Sequence, residues 1–152
     1  MVDRTKKMMI FLLPIDRKKM ELLYKNATLK TPEVNFDPSR GIFSIKGKSV
    51  PEDAAAFYDE LLEWVENYAI NPQEKTVLTI DLEYFNISSS KRLLFLLYKL
   101  NDMMDNGSNV RIKWMYNEDD EDMFEVGQDY AFMVKLPFDF LSYKPEPLEM
   151  VG

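Results

Sequence analysis

The 152-residue sequence contains no cysteine and no histidine. Without cysteine the chain forms no disulfide and offers no thiol nucleophile. Without histidine it lacks both the most common general base of enzymes and the most common metal ligand of proteins. We therefore expect no cofactor and no metal. The absence of cysteine is compatible with a reducing cytoplasm, where we expect the protein to reside.

Positive charge is also scarce. The chain has 19 Lys and Arg residues against 26 Asp and Glu residues, for a formal net charge of −7. The basic residues cluster only in short groups near the N-terminus, whereas a duplex-binding surface needs several of them on phosphates. We expect no nucleic-acid partner.

Long apolar runs are missing as well. The uncharged segment Met8–Ile15 follows basic residues, as in a signal peptide, but it contains a proline, leads into Asp-Arg-Lys-Lys and has no small-residue cleavage site. It is far too short to span a bilayer, so we expect no membrane association. The sequence predicts a flexible extension over residues 1–19, one domain over residues 20–145 and a tail over residues 146–152. Met20 is an alternative to Met1 as the start of the chain.

The first half of the predicted domain contains a β-hairpin and a helix. Apolar residues 34–36 and 42–45 flank Asp-Pro-Ser-Arg-Gly, which is typical of a type I turn closed by a left-handed residue. A short strand near residues 22–24 precedes this hairpin. Ser49 and Glu52 have capping-box spacing before a helix that stops at Asn71-Pro72. The predicted buried stripe of that helix is Phe57, Leu61, Leu62, Val65 and Tyr68.

Strands and helices alternate in the second half. TVLTIDLEYF is rich in β-branched residues, a leucine-rich helix ends at Asn106-Gly107, and VRIKWMY alternates apolar and polar residues. A third helix follows over about residues 119–133, weakened by Gly127, and a last strand covers residues 138–143. This alternation predicts a single α/β domain with right-handed parallel crossovers, in which the hairpin makes the sheet mixed and helices flank it.

Three consecutive serines stand between the strand EYF and the second helix, in EYFNISSSKRLL. Serine is a preferred N-cap, and this is the simplest explanation of the pattern. The functional alternative is phosphorylation, which adds a charge of about −1.5 to −2. The helix dipole favours that charge by about 0.3–1 kcal/mol, so the fold would tolerate it while a partner with acidic or apolar groups would be repelled.

A pair of carboxylates offers a different function. Asp81 and Glu83 lie two residues apart on one predicted strand, so they share a face at about 7 Å. Paired carboxylates at such spacing catalyse glycoside hydrolysis, and a small hydrolase is therefore an alternative. No Gly-rich loop, arginine cluster or histidine accompanies the pair. The acidic run at residues 118–122 lacks the ligand spacing of an EF-hand loop and suits a solvated helix start.

Several stretches resemble the SiaC family of bacterial biofilm-regulation phosphoproteins. They are TPEVNFDPSRGIFSIKGKSVPEDAAAFYDELLEWVENY, LTIDLEYFNISSSKRLLFLLYKL and IKWMYNEDDEDM, and the resemblance covers about residues 31–143. It implies a fold similar to STAS domains, the anti-sigma-factor antagonists, and a regulatory role without enzymatic activity. It also implies partner switching, in which a Ser/Thr kinase phosphorylates the protein and a PP2C-type phosphatase reverses this. The unphosphorylated form then binds and activates a diguanylate cyclase, raising cyclic di-GMP.

The resemblance places the family's phosphoacceptor threonine directly after the asparagine of the turn. Ile87 stands there in this chain and has no hydroxyl. Ser88 and Ser89 match family serines and become the candidate acceptors. Three outcomes stay open: the acceptor has moved to one of these serines, the protein is a constitutive adaptor that always binds its cyclase, or the fold has been kept without the circuit.

The partner-binding residues expected on this basis surround the same turn. Tyr84 and Phe85 would contact a partner, and Asn86 would shape the turn. Lys91 and Arg92 add positive charge that suits either a kinase groove or a phosphate group.

Overall fold

A six-stranded sheet runs through residues 20–145, the part of the chain that the computed structural model describes. The predicted extension and tail, residues 1–19 and 146–152, lie outside the described residues. The strands are β1 (Leu23–Lys25), β2 (Glu33–Asp37), β3 (Ile42–Ser49), β4 (Lys75–Phe85), β5 (Asn109–Asn117) and β6 (Phe138–Tyr143). The helices are α1 (Ala54–Tyr68), α2 (Ile87–Asp105) and α3 (Glu121–Met133).

The strands lie side by side in sequence order. The pairs β1–β2 and β2–β3 are antiparallel, whereas β3 through β6 are parallel and connected through one helix at each step. Because right-handed crossovers that all advance in one direction put their helices on one side, α1, α2 and α3 cover the same face. The predicted mixed α/β sheet with its N-terminal hairpin is confirmed.

The core forms where that face meets the helices. Strand register aligns apolar side chains in two rows across the sheet, and alternate residues face solvent on the other side. One row contains Phe36, Phe43, Leu78, Ile112 and Phe138, and the other contains Val34, Ile45, Ile80, Trp114 and Phe140. Fully burying a side chain of this kind stabilises the fold by about 1.5–3 kcal/mol.

The start of α1 differs from the prediction. Its N-cap is Asp53, whose Oδ1 accepts a hydrogen bond from the Ala56 N–H at 3.0 Å. The predicted capping box is wrong because Ser49 is the last residue of β3 and its side chain points into the core. The buried stripe of α1 includes Tyr58, whereas Phe57 is only half-buried.

The turn of the hairpin matches its prediction. Asp37 Oδ1 accepts hydrogen bonds from the backbone and the hydroxyl of Ser39, and Gly41 closes the turn with φ of +64°. A side chain at that position would be strained, which explains the glycine.

Gly127 has a packing role that the sequence pattern did not indicate. It faces Trp114, whose indole N–H donates to the Met123 carbonyl oxygen at 3.0 Å. A β-carbon at residue 127 would lie 2.5 Å from the indole nitrogen. Glycine therefore lets α3 approach the sheet closely enough to cover this tryptophan.

We predict that Gly127→Ala lowers the free energy of unfolding by about 1–3 kcal/mol, because relieving the clash displaces the indole from its acceptor. This loss outweighs the gain of about 1 kcal/mol in helix propensity. Chemical denaturation measures the change, and the exposed Gln128→Ala on the same helix is the control, expected within about 0.5 kcal/mol of the parent. A Gly127→Ala protein as stable as the parent would contradict this account.

Candidate protein-binding turn

A β-bulge at the end of β4 determines which side chains the turn exposes. Leu82 pairs with Gly47 and Tyr84 pairs with Lys48, so Glu83 is an extra residue on β4. The bulge shifts the alternation by one residue. Tyr84 therefore lies on the open face, 58% exposed, whereas Phe85 turns towards the helices and its ring lies 6.5 Å from that of Trp114. Of the two predicted aromatic contacts, Tyr84 presents the larger surface to a partner.

Asn86, and not a serine, caps α2. Its Oδ1 accepts from the Ser89 N–H at 2.9 Å, and its own N–H donates to the Ser49 carbonyl oxygen at 3.1 Å. The expectation of a serine cap is wrong, because the serines already belong to the first turn of the helix. The cap fixes the polypeptide at the point where the sheet meets the helix.

The three serines of the first turn have different surroundings. Ser88 is exposed. Ser89 is 0% exposed, and its hydroxyl donates to the Ser49 carbonyl oxygen at 3.0 Å. Ser90 is half-buried and its hydroxyl donates to the Ile87 carbonyl oxygen at 2.8 Å. Of the two candidate acceptors, Ser88 is accessible to a kinase in the folded protein, and Ser89 is not.

Ile87 projects into solvent at the start of α2. It is 88% exposed at the first position of α2, three residues after the exposed Tyr84. Neither side chain belongs to the core. Apolar side chains that project from a capped turn are available for contact with a partner.

The two basic residues that follow the serines lie along the side of α2. Lys91 is exposed and its Nζ lies 5.9 Å from the centre of the Phe95 ring. Arg92 is half-buried over the same ring and 3.5 Å from a carboxylate oxygen of Asp59 on α1. Lys91 is therefore the more available of the two cations for a partner.

An open crevice of about 470 Å³ lies beside the turn. The pairing of β4 with β5 stops at Ile80 and Trp114, although both strands continue, and the crevice occupies the gap. It is lined by Leu82, Glu83, Asn117, Asp119, Asp120, Met123 and Tyr143, which include three carboxylates and no lysine or arginine.

The carboxylate pair of the hydrolase alternative is divided by the bulge. Asp81 lies before the extra residue and is half-buried, whereas Glu83 is the extra residue and is exposed. Burial raises the pKa of Asp81, an effect opposed by the charge of Lys46, and burial also raises the pKa of the nearby Tyr143 hydroxyl. Within residues 20–145 no group of three or more acidic residues is arranged to hold a metal ion.

None of the helices within the described part of the chain is both long and apolar enough to cross a bilayer.

A helix-covered mixed sheet that presents exposed apolar side chains on a capped turn defines a small protein-interaction domain. Residues 25–143 match the family described as SiaC family regulatory phosphoprotein, and the chain belongs to this family. The membership inferred from the sequence motifs is thereby confirmed.

Similar sequences and solved structures include several from Pseudomonas aeruginosa. An uncharacterized protein of strain UCBPP-PA14 is 28% identical over 119 residues, covering 78% of this chain and 94% of that protein. The crystal structure of apo-SiaC superimposes with a TM-score of 0.77 at 26% identity, covering 81% of this chain and 100% of that one. The crystal structure of the diguanylate cyclase SiaD in complex with its activator SiaC gives a TM-score of 0.76 at 26% identity. The match covers 80% of this chain and 99% of that one.

The half-buried Asp81 predicts a pH-dependent effect on stability. Burial raises the folded-state pKa of Asp81 above its ordinary value of 3.8. The protonated carboxyl therefore stabilises the fold at pH values below 3.8, and this stabilisation is lost as the pH rises through the folded-state pKa. Asp81→Asn should therefore raise the melting temperature at pH 7, with a difference that shrinks as the pH falls towards 4.

Thermal denaturation between pH 4 and pH 7 measures this difference. Glu83→Gln removes the same charge from an exposed position of the same strand and should change the melting temperature little. If Asp81→Asn melts at or below the parent temperature at pH 7, burial does not penalise the charge of Asp81.

Proposed function

We propose that the protein is a non-enzymatic regulatory domain that binds and activates a diguanylate cyclase through residues 84–91. The exposed Ile87 carries this proposal. An isoleucine left in water does not stabilise the fold, whereas its burial against a partner contributes about 1.5–3 kcal/mol to binding. Family membership supports a regulatory role, and the SiaC relative is named as the activator of a diguanylate cyclase. A cyclase partner also favours a cytoplasmic location.

A second part of the proposal concerns reversible phosphorylation at Ser88. Its hydroxyl is exposed at the N-terminus of α2, where the helix dipole favours a phosphate group. The phosphate would lie next to Ile87 and would oppose the burial of this side chain by an apolar partner. A Ser/Thr kinase would add the group and a PP2C-type phosphatase would remove it. Without modification at Ser88, the protein acts as a constitutive adaptor.

The hydrolase alternative receives less support from the geometry. Asp81 does not line the crevice, and the residues that do line it include no cation to hold an anionic or polarised group. Glu83 lines the crevice, but the bulge removes it from the regular strand geometry that would have placed Asp81 beside it on the same face. A regulatory surface accounts for the exposed residues better.

The direct test mixes the purified protein with each diguanylate cyclase encoded by the same organism. Synthesis of cyclic di-GMP from GTP is followed by chromatography, with Pseudomonas aeruginosa SiaC and SiaD as the positive control. We expect at least one cyclase to be stimulated by about tenfold, which corresponds to about 1.4 kcal/mol of coupling. If every cyclase keeps its basal rate while the control pair responds, the proposal is wrong.

The role of Ile87 is tested by a matched pair of substitutions. Ile87→Asp should raise the concentration needed for half-maximal activation by about 100-fold, because binding loses apolar burial and must desolvate a charge. Ile70 is 82% exposed beyond the C-terminal end of α1, away from the turn, and Ile70→Asp should change that concentration less than about twofold. Equal effects of the two substitutions would contradict a binding role for Ile87.

Phosphorylation is tested by incubating the protein with its cognate kinase and ATP. Intact-mass spectrometry should show one added phosphate on the parent and none on Ser88→Ala, because Ser89 is inaccessible. Ile87→Thr should gain an additional acceptor. A parent that stays unmodified while Ile87→Thr is phosphorylated would contradict the Ser88 switch and support the constitutive adaptor.

A further inference from the structure

A chain of buried hydroxyl groups lies directly beneath the candidate binding turn. The Oγ of Ser49 is 2.6 Å from the hydroxyl of Tyr58 and 2.9 Å from the Oγ of Ser89. The Oγ of Ser89 is in turn 3.0 Å from the Ser49 carbonyl oxygen. All three residues are 0% exposed. The chain joins three elements, β3, α1 and α2.

The direction of these hydrogen bonds follows from counting protons. Each hydroxyl has one proton to donate. Ser89 donates to the Ser49 carbonyl oxygen, and Ser49 donates to the Ser89 hydroxyl. Tyr58 must therefore donate to Ser49, because the Ser49 proton is already used. Burial raises the pKa of Tyr58 to about 12, so the phenol keeps its proton at neutral pH.

The Ser49 carbonyl oxygen, which accepts the last hydrogen bond of this row of hydroxyls, also holds the N-cap residue of α2. The Ser49 carbonyl oxygen accepts the Asn86 N–H at 3.1 Å in addition to the Ser89 hydroxyl. On the other side, the Tyr130 hydroxyl of α3 donates to the Ser90 carbonyl oxygen at 2.8 Å. The exposed Ile87 and Ser88 thus lie between Asn86 and Ser90, whose backbone groups are hydrogen-bonded to β3 and to α3, respectively.

We propose that Tyr58, Ser49 and Ser89 are positioning residues, which hold the turn in its binding conformation and so set its affinity for a partner. Within residues 20–145 no buried polar side-chain atom lacks a hydrogen-bond partner, so all three hydroxyl groups of this hydrogen-bonded chain are paired. A satisfied buried network favours one geometry, because any displacement leaves a hydroxyl unpaired. Rigidity of a binding loop lowers the entropy lost on association. The effect on affinity rests on the function proposed above; the effect on turn order does not.

The opposite end of α1 provides a matched control. Tyr68 is also buried; its hydroxyl lies 2.7 Å from the Oγ1 of Thr76 on β4 and accepts a hydrogen bond from the Gln73 N–H at 3.1 Å. Tyr58→Phe and Tyr68→Phe each remove one buried phenol hydroxyl that bonds a strand hydroxyl. Only the first removes a member of the hydrogen-bonded chain that reaches the turn, because it leaves the Ser49 hydroxyl, which also bonds Ser89, without its donor.

Two measurements separate positioning from general stability. In amide hydrogen exchange of the isolated protein, we expect residues 86–90 to exchange about tenfold faster in Tyr58→Phe and at the parental rate in Tyr68→Phe, each relative to the slowest core amides. In the cyclase assay, Tyr58→Phe should raise the concentration for half-maximal activation by about tenfold and Tyr68→Phe by less than about twofold, although Tyr68→Phe loses two hydrogen bonds and should lose at least as much thermal stability.

Each outcome decides the question. Parental exchange at the turn in Tyr58→Phe overturns the positioning role, and faster exchange with parental activation overturns its link to affinity. Equal effects of the two variants show a purely structural role. If the parent itself activates no cyclase, the proposed function fails, while the exchange result still decides whether the chain orders the turn. If Tyr58→Phe does not fold, Ser89→Ala breaks the chain at its other end and is measured in its place.

Discussion

The sheet has a single apolar face, and the need to cover that face determines the arrangement of the domain. Strand register brings Phe43, Leu78 and Ile112 side by side, and the parallel crossovers then place every connecting helix over them. The other face keeps polar residues such as Asn35, Thr79 and Lys113 in contact with solvent. A domain built in this way has its helix N-termini at the carboxyl ends of the parallel strands, and the candidate binding turn lies at one of these ends.

Local departures from regular structure create that turn. The regular alternation of β4 would have put Tyr84 in the core, and the extra residue Glu83 turns it outwards. The same bulge directs Phe85 inwards, where it supports Trp114. A side chain that would stabilise the fold in a regular strand becomes available to a partner at the cost of one unpaired position in the ladder.

Much of the fold was predictable because short-range patterns specify it. The hairpin at Asp37–Gly41, the end of α2 at Asn106-Gly107 and the strand at 138–143 follow from turn chemistry and side-chain periodicity, and the structure confirms them. The start of α1 was missed because the Ser49 hydroxyl bonds Tyr58 and Ser89, the latter 40 residues distant in sequence, and such contacts leave no local signal. The role of Gly127 was missed for the same reason, since its neighbour Trp114 lies on another element.

The position of the candidate turn in the fold was predictable, the surroundings of its side chains were not, and its role in binding stays a prediction. The EYFNISSS stretch located the turn, and Asn86 shapes it as expected. Consecutive serines look equivalent in a sequence, yet one turn of helix rotates each by about 100°, so neighbours face solvent and core in succession. Only the packed structure distinguishes the accessible Ser88 from the buried Ser89.

Helix α2 also has a practical consequence for work with this protein. It contains 19 residues and is therefore about 28 Å long, so its far end at Asn106 is remote from Ile87. Gly107 follows that end, and no atom beyond its chain neighbours lies within 4 Å of the position that a β-carbon would take there. A fluorophore or surface tether attached next to it would leave the opposite edge of the molecule unobstructed, which suits single-molecule and surface-based measurements of association.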